Sequence, residues 1–186
     1  MTTASAAGKI ILLGEHAVVY GRPAIAAPVS DVRAVAEVET LPNGQRIVIE
    51  ARDLGCSYLL DDGHEADDAL PLQITVRNTL EALSLPIESQ NLRLTIRSAI
   101  PIARGMGSGT AVATAIVRAL AQHFGQHLTA RAVSDLVYQT EIILHGTPSG
   151  IDNTVVAFEQ PVYFVKGQQA NIFWVGNLSR CSSQIR

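Results

Sequence analysis

The stretch Ile100-Pro-Ile-Ala-Arg-Gly-Met-Gly-Ser-Gly-Thr-Ala111 constrains this chain more than any other, because its glycines separate two segments of different periodicity. Upstream, Leu92, Leu94 and Ile96 alternate with Arg93, Thr95 and Arg97, the pattern of a half-buried strand. Downstream, 111–124 is apolar except for Thr114, Arg118, Gln122 and His123, which predicts a helix buried on most of its circumference. Gly105, Gly107 and Gly109 allow positive φ and leave backbone N–H groups uncovered, and Ser108 or Thr110 is the expected cap of the helix. Uncovered amides at the positive end of a helix dipole form a site for an anion such as phosphate. The same spacing also suits a tight strand-to-helix connection with glycines for close packing. Three known loops do not fit. A Walker A loop needs a lysine that is absent here, a dinucleotide fingerprint needs glycine where Thr110 stands, and a nucleophile elbow needs glycine where Met106 stands.

With 186 residues, 47% hydrophobic and 17% charged, the chain is long enough for one sizeable domain with a real core. Its net charge of −3 argues against a nucleic-acid binder that works by neutralising phosphates. Cys56 and Cys181 have no partners at metal-ligand spacing and read as thiols of a reducing compartment. No apolar run reaches the roughly 18 residues of a membrane span, and residues 1–8 lack the apolar core of a signal peptide. The expected location is cytoplasmic, without a membrane partner.

From the N-terminus, 9–13 reads as a short buried strand with Lys9 at its mouth, ended by Gly14-Glu15-His16. The cluster Lys9, Glu15 and His16 is either a solvated turn or a site. Tyr20-Gly21-Arg22-Pro23 is a turn, and 24–29 resumes as a strand or a helix start. Alternation at Val32, Ala34, Ala36 and Val38 predicts a strand with one wet face, joined through Pro42-Asn43-Gly44 as a hairpin to a strand at 46–51. Residues 53–68, rich in Asp, Gly and His, read as a solvated loop without the ligand order of a calcium loop, and Asp68 is the expected cap of the next helix. That helix places Leu72, Val76, Leu80 and Leu83 on one face and stops before Pro86. Thr129 caps a further helix over 130–144 with Val133, Val137 and Leu144 inward. Glu141 falls on that apolar stripe, where a carboxylate needs a partner or a cation. The turn 145–150 then fixes Asp152 near the helix end. Strands are expected at 154–158, 162–165 and 172–175, before a patternless tail at 176–186.

Three segments, 8–21, 101–111 and 145–153, together resemble the mevalonate kinases of the GHMP small-molecule kinase superfamily. Glu-His-Ala-Val-Val-Tyr-Gly in the first and His-Gly-Thr-Pro-Ser-Gly-Ile-Asp-Asn in the third carry the more specific likeness, and the resemblance runs from residue 8 to about 166. It implies an α+β GHMP-kinase N-terminal domain, a ribosomal-protein-like βαβ fold, over residues 1–167, with a tail at 168–186 and the C-terminal domain missing. It also implies ATP-dependent phosphorylation of the 5-hydroxyl of mevalonate in isoprenoid precursor synthesis, with Mg²⁺, and admits a homodimer of the full-length enzyme. Carried over residue by residue, Asp152 matches the general base and Lys9 the lysine beside it, which also faces ATP. Ser98, Ala103, Arg104, Gly105, Met106, Gly107, Ser108 and Gly109 match ATP-contacting positions, and Glu15 and His16 match the substrate-facing region. Glu141 matches a metal ligand.

The family loop usually reads Gly-Leu-Gly-Ser-Ser-Ala, its second serine a Mg²⁺ ligand; here Gly109 stands in that place, and Thr110 beside it or a water is the candidate replacement. The family's second glycine-rich motif has no counterpart after Asp152, so the 186 residues alone are expected to be inactive. The alternatives are another GHMP small-molecule kinase and a catalytically silent nucleotide-binding fragment.

Overall fold

The computed structural model describes residues 1–60, 70–168 and 170–172, leaving out the side chains of Leu144 and His145. Of the loop expected at 53–68, residues 53–60 are described and are not a loop but a 3-10 turn and a strand, Cys56–Leu59; the remainder with its Asp68 cap, the strand residues 173–175, Cys181 and most of the tail lie outside the described residues.

Among the described residues, four α-helices and seven strands organise the domain: β1 Thr2–Leu13, β2 Ala24–Thr40, β3 Val48–Ala51, β4 Cys56–Leu59, α1 Leu70–Ala82, β5 Leu92–Ser98, α2 Ser108–His123, α3 Ala130–His145, α4 Ile151–Phe158, β6 Val162–Phe164 and β7 Asn171–Ile172. The sheet runs β4-β3-β5-β2-β6-β7, and β1 pairs with β2. Strand β2 is long enough to hold β1 antiparallel, from Thr2↔Val38 to Leu13↔Ile25, while β5 and β6 share its other edge. The 24–29 segment is thus the start of β2. Small residues make that centre possible: Ala6, Ala26, Ala34 and Ala36 are fully buried beneath α2, whose Ala111, Ala115 and Ala119 face them in one core. Leu80, Leu94, Ile116 and Leu120 supply the larger side chains of the same cluster, and close packing of this kind is where most of the helices' stability resides.

The short buried strand expected at 9–13 is instead the end of the twelve-residue β1, and its Ile10, Leu12 and Leu13 are exposed. Three further local expectations are corrected. The Pro42-Asn43-Gly44 turn does not close a hairpin, because β5 lies between β2 and β3 and pairs with β3 in parallel. An Asn-Gly turn sets only the local reversal; β5, with Leu92, Leu94, Thr95 and Ile96 buried, takes the central place for which the partly polar β3 is less suited. The 154–158 segment is helical, not a strand, despite its β-branched residues. Ile151, Val155 and Val156 bury at helical spacing, and the Thr154 hydroxyl donates to Gly150 O at 2.6 Å, so tertiary burial overrides propensity. Finally, α2 begins at Gly107 with φ of 67° and no side-chain cap. Ser108 does not cap it, and the Thr110 hydroxyl is committed elsewhere. Thr129 does cap α3, its Oγ1 accepting from Ala132 N at 3.1 Å.

Candidate active site

The strand end of β1, the glycine loop, and the facing ends of α3 and α4 meet at one place. Lys9 is almost fully buried, only 4% exposed, and its Nζ lies 2.8 Å from Asp152 Oδ1. A lysine so deep needs such a partner, since burying an unpaired ammonium is costly. Its backbone N–H donates to Met106 O at 3.0 Å, which ties the loop to the strand. Gly107 makes this approach possible. A Cβ at that position would stand 2.8 Å from Lys9 Cγ, and its φ lies in the region that L side chains avoid.

Across the cavity, the Thr110 hydroxyl donates to Glu141 Oε1 at 2.5 Å. Loss of hydration pushes the Glu141 carboxyl up to about 7; the nearby Asp152 charge adds to this, while the Thr110 hydrogen bond and Lys9 oppose it. A carboxylate held in this way has one hydroxyl and one distant ammonium for compensation, and a hard cation is the group that would suit it. Hard-cation sites of the Mg²⁺ type use one or two carboxylates and complete the shell with phosphate oxygens and water, so Glu141 with Thr110 fits such an ion. Among the described residues no cluster of three or more His, Cys, Asp or Glu forms a cage by itself.

The cavity measures about 680 Å³ and is lined by the whole loop 100–110 together with Ser98, Glu141 and Asp152. It therefore brings together every loop position singled out by sequence. Lys9 stands behind Asp152, outside the lining, while Glu15 and His16 lie on the exposed turn after β1 and do not line it. Glu15 does reach the loop: its Oε1 sits 3.7 Å from where a Cβ on Gly105 would be. Sequence reading missed the far end of the cavity, where Ala51, Asp53, Leu54, Pro71, Leu72 and Thr75 line it. Asp53 accepts a hydrogen bond from the Ser98 backbone N–H. Its only signal was its place directly after a strand in Arg52-Asp53-Leu54-Gly55, which forms a short 3-10 turn closed by the left-handed Gly55.

Comparison with known proteins places the domain in a family. Residues 72–160 match the family of GHMP kinases N terminal domain, which spans β5, the glycine loop and the helices α1 to α4 that carry Glu141 and Asp152. The chain carries a GHMP kinase N-terminal domain. Its relatives include mevalonate kinases: the enzyme of Thermococcus sibiricus is 39% identical over 173 residues, covering 88% of this chain and 51% of that protein. The crystal structure of mevalonate kinase from methicillin-resistant Staphylococcus aureus is 34% identical with a TM-score of 0.66, over 92% of this chain and 54% of that one. The Methanococcus jannaschii mevalonate kinase has the same fold, with a TM-score of 0.84 at 23% identity over 92% of this chain and 55% of that one. The chain spans about half the length of the curated relatives it matches.

Proposed function

We propose that this domain, within the full-length protein, transfers the γ-phosphoryl group of ATP to the 5-hydroxyl of mevalonate, giving 5-phosphomevalonate. The observation that carries this reading is the Lys9–Asp152 pair at 2.8 Å, seated where the glycine loop meets α4. Phosphoryl transfer asks little covalent work of a protein: it needs an in-line hydroxyl, charge compensation and exclusion of water. Asp152, partly exposed at the cavity and held by Lys9, accepts the proton of the attacking hydroxyl. Lys9 keeps that carboxylate oriented. The uncapped amides at the start of α2 receive phosphate oxygens, favoured by the helix dipole. Glu141 and Thr110 would hold Mg²⁺, which when bound neutralises charge on the phosphates. Glu15, which reaches the loop beside Gly105, and the neighbouring His16 are assigned to the side of the acceptor alcohol. No described helix is long and apolar enough to cross a membrane; this reading assigns the enzyme to the cytoplasm and allows a homodimer.

The test is an ATP-coupled assay of the full-length protein with mevalonate, phosphomevalonate, galactose and homoserine. Mevalonate is expected to give a kcat/KM at least ~10² above the others, a margin that buried polar recognition of the correct acceptor can supply. Preference for another acceptor would replace the substrate, and ATP binding without turnover on any would mark a silent nucleotide-binding module.

Glu141 gives a prediction with two readouts. Its folded pKa, about 7, exceeds the 4.5 of the unfolded chain. The stability it contributes is therefore fully present below about 4.5 and is lost as pH rises through about 7. In metal-free buffer the parent should lose up to about 3 kcal/mol over this window through this group alone, relative to Glu141→Gln. Taking the difference removes the opposite trend of His123, whose pKa is lowered by burial and by the N-terminal charge. The same variant should raise the Mg²⁺ concentration needed for half-maximal rate by more than it raises the mevalonate KM. Gly109→Ser should lower it, since a Cβ there meets nothing within 4 Å. Overlaid Mg²⁺ titrations would remove the metal role from Glu141.

A further inference from the structure

At the end of α4 opposite Asp152 lies a second charged cluster that the proposed chemistry does not use. Glu159, the C-cap of α4, accepts hydrogen bonds on Oε1 from Arg33 Nη2 at 2.9 Å and Arg118 Nη1 at 2.7 Å. Arg118 also donates to Ser5 O at 2.7 Å and to Ala157 O at 2.9 Å, and Arg33 Nε donates to Ser5 Oγ at 3.0 Å. One carboxylate oxygen thus joins β1, β2, α2 and the last turn of α4.

Stability is a poor account of this arrangement. Partly buried ion clusters are often no more stabilising than apolar groups of the same volume, and Glu159 holds a left-handed φ of 49° that a non-glycine residue adopts only at a cost. What the cluster does supply is direction. Two cations at the C-terminal end of a helix suit its dipole, and the planar guanidinium of Arg118 grips three acceptors in one fixed fork. The cluster and the Lys9–Asp152 pair are also well separated on both α4 and β1, with a register shift in β1 between Ala7 and Gly8 falling between them. Asp152 and Glu159 stand about 10 Å apart along α4 at ~1.5 Å per residue, and Ser5 and Lys9 about 13 Å apart along β1 at ~3.3 Å per residue. The Lys9–Asp152 pair and the Ser5–Arg118–Glu159 contacts therefore pin the two ends of one helix to one strand.

We infer that Arg33, Arg118 and Glu159 form a positioning clamp, which sets the axis of α4 on β1 so that Asp152 meets Lys9 in the geometry the phosphoryl transfer requires. The inference rests on the functional reading above, and Glu159 acts only through Asp152.

The test is a double-mutant cycle in the full-length protein, with Glu159→Gln, Asp152→Asn and the pair, measured well below each variant's Tm. Glu159→Gln should lower kcat about 10–100-fold, since small misplacements of a reacting group carry penalties of this order, and leave the ATP KM within about threefold. Added to Asp152→Asn, it should change kcat by less than about twofold, because there is no longer a base to position. Glu159→Gly, which restores the residue type favoured at this backbone angle, should keep the fold and still lose turnover. Multiplicative losses in the cycle, or unchanged kcat in both Glu159 variants, would overturn the clamp while leaving Asp152 as the base. Failure of both to fold would reduce the cluster to a stabilising one and overturn it too. Normal turnover in Asp152→Asn alone would remove the functional reading, and the clamp with it.

Discussion

Replacing Asp152 by asparagine is expected to leave ATP affinity within about threefold and to lower turnover by roughly 10²–10⁴, the range for losing a positioned general base. The amide keeps the size and one acceptor oxygen of the carboxylate but cannot take the hydroxyl proton. It also withdraws the counter-charge from Lys9, whose side chain is 5% exposed against 31% for Asp152. That leaves an ammonium nearly without water and without its partner, a cost of about 1–3 kcal/mol once the exposure of the carboxylate is allowed for. The measurement is therefore paired: initial rates with saturating mevalonate and ATP, and a Tm that confirms the variant is folded at the assay temperature. Turnover within threefold of the parent would take the base assignment away from Asp152. A lower Tm with normal turnover would keep the ion pair as structure only.

Alanine at Gly107 should be nearly as damaging for a different reason. Its Cβ would stand 2.8 Å from Lys9 Cγ and 3.1 Å from Lys9 Cε, and the backbone sits at φ of +67°. The overlapping atoms belong to the middle of a buried side chain tethered at Asp152, so relief requires either the loop or the ion pair to move. Left-handed strain and overpacking together cost about 2–4 kcal/mol, and the displaced Lys9 should reduce kcat by about 10²-fold. Gly109 is the internal control. It lies in the first turn of α2 with open space where an added methyl group would sit, so Gly109→Ala should be neutral or stabilising by up to about 1 kcal/mol. Denaturant unfolding of the two variants side by side would distinguish them. Equal stability for both would show that the loop carries no such constraint on Lys9.

Sequence alone determined the parts of this protein that depend on short-range pattern. Alternation placed β5, helical spacing placed α1 and α3, and Thr129 marked the start of α3, because in each case neighbouring residues carry the signal. The glycine loop was legible for the same reason, and so was Glu141, whose place on an apolar stripe announced a carboxylate in want of a partner. Tertiary structure decided what depends on which surfaces meet. It placed β5 between β2 and β3, since a turn records the reversal of the chain but not the strand that later takes the free edge. It made α4 a helix from β-branched residues, because burial against α2 and α3 outweighs a few tenths of a kcal/mol of propensity per residue. It brought Lys9 and Asp152 to 2.8 Å across most of the chain, and gathered Ser5, Arg33, Arg118 and Glu159 from four separate elements. Asp53 and the apolar far wall of the cavity belong with these: no local pattern distinguishes a loop carboxylate facing solvent from one that closes a pocket, and only the packing of the 3-10 turn beside β5 makes the difference.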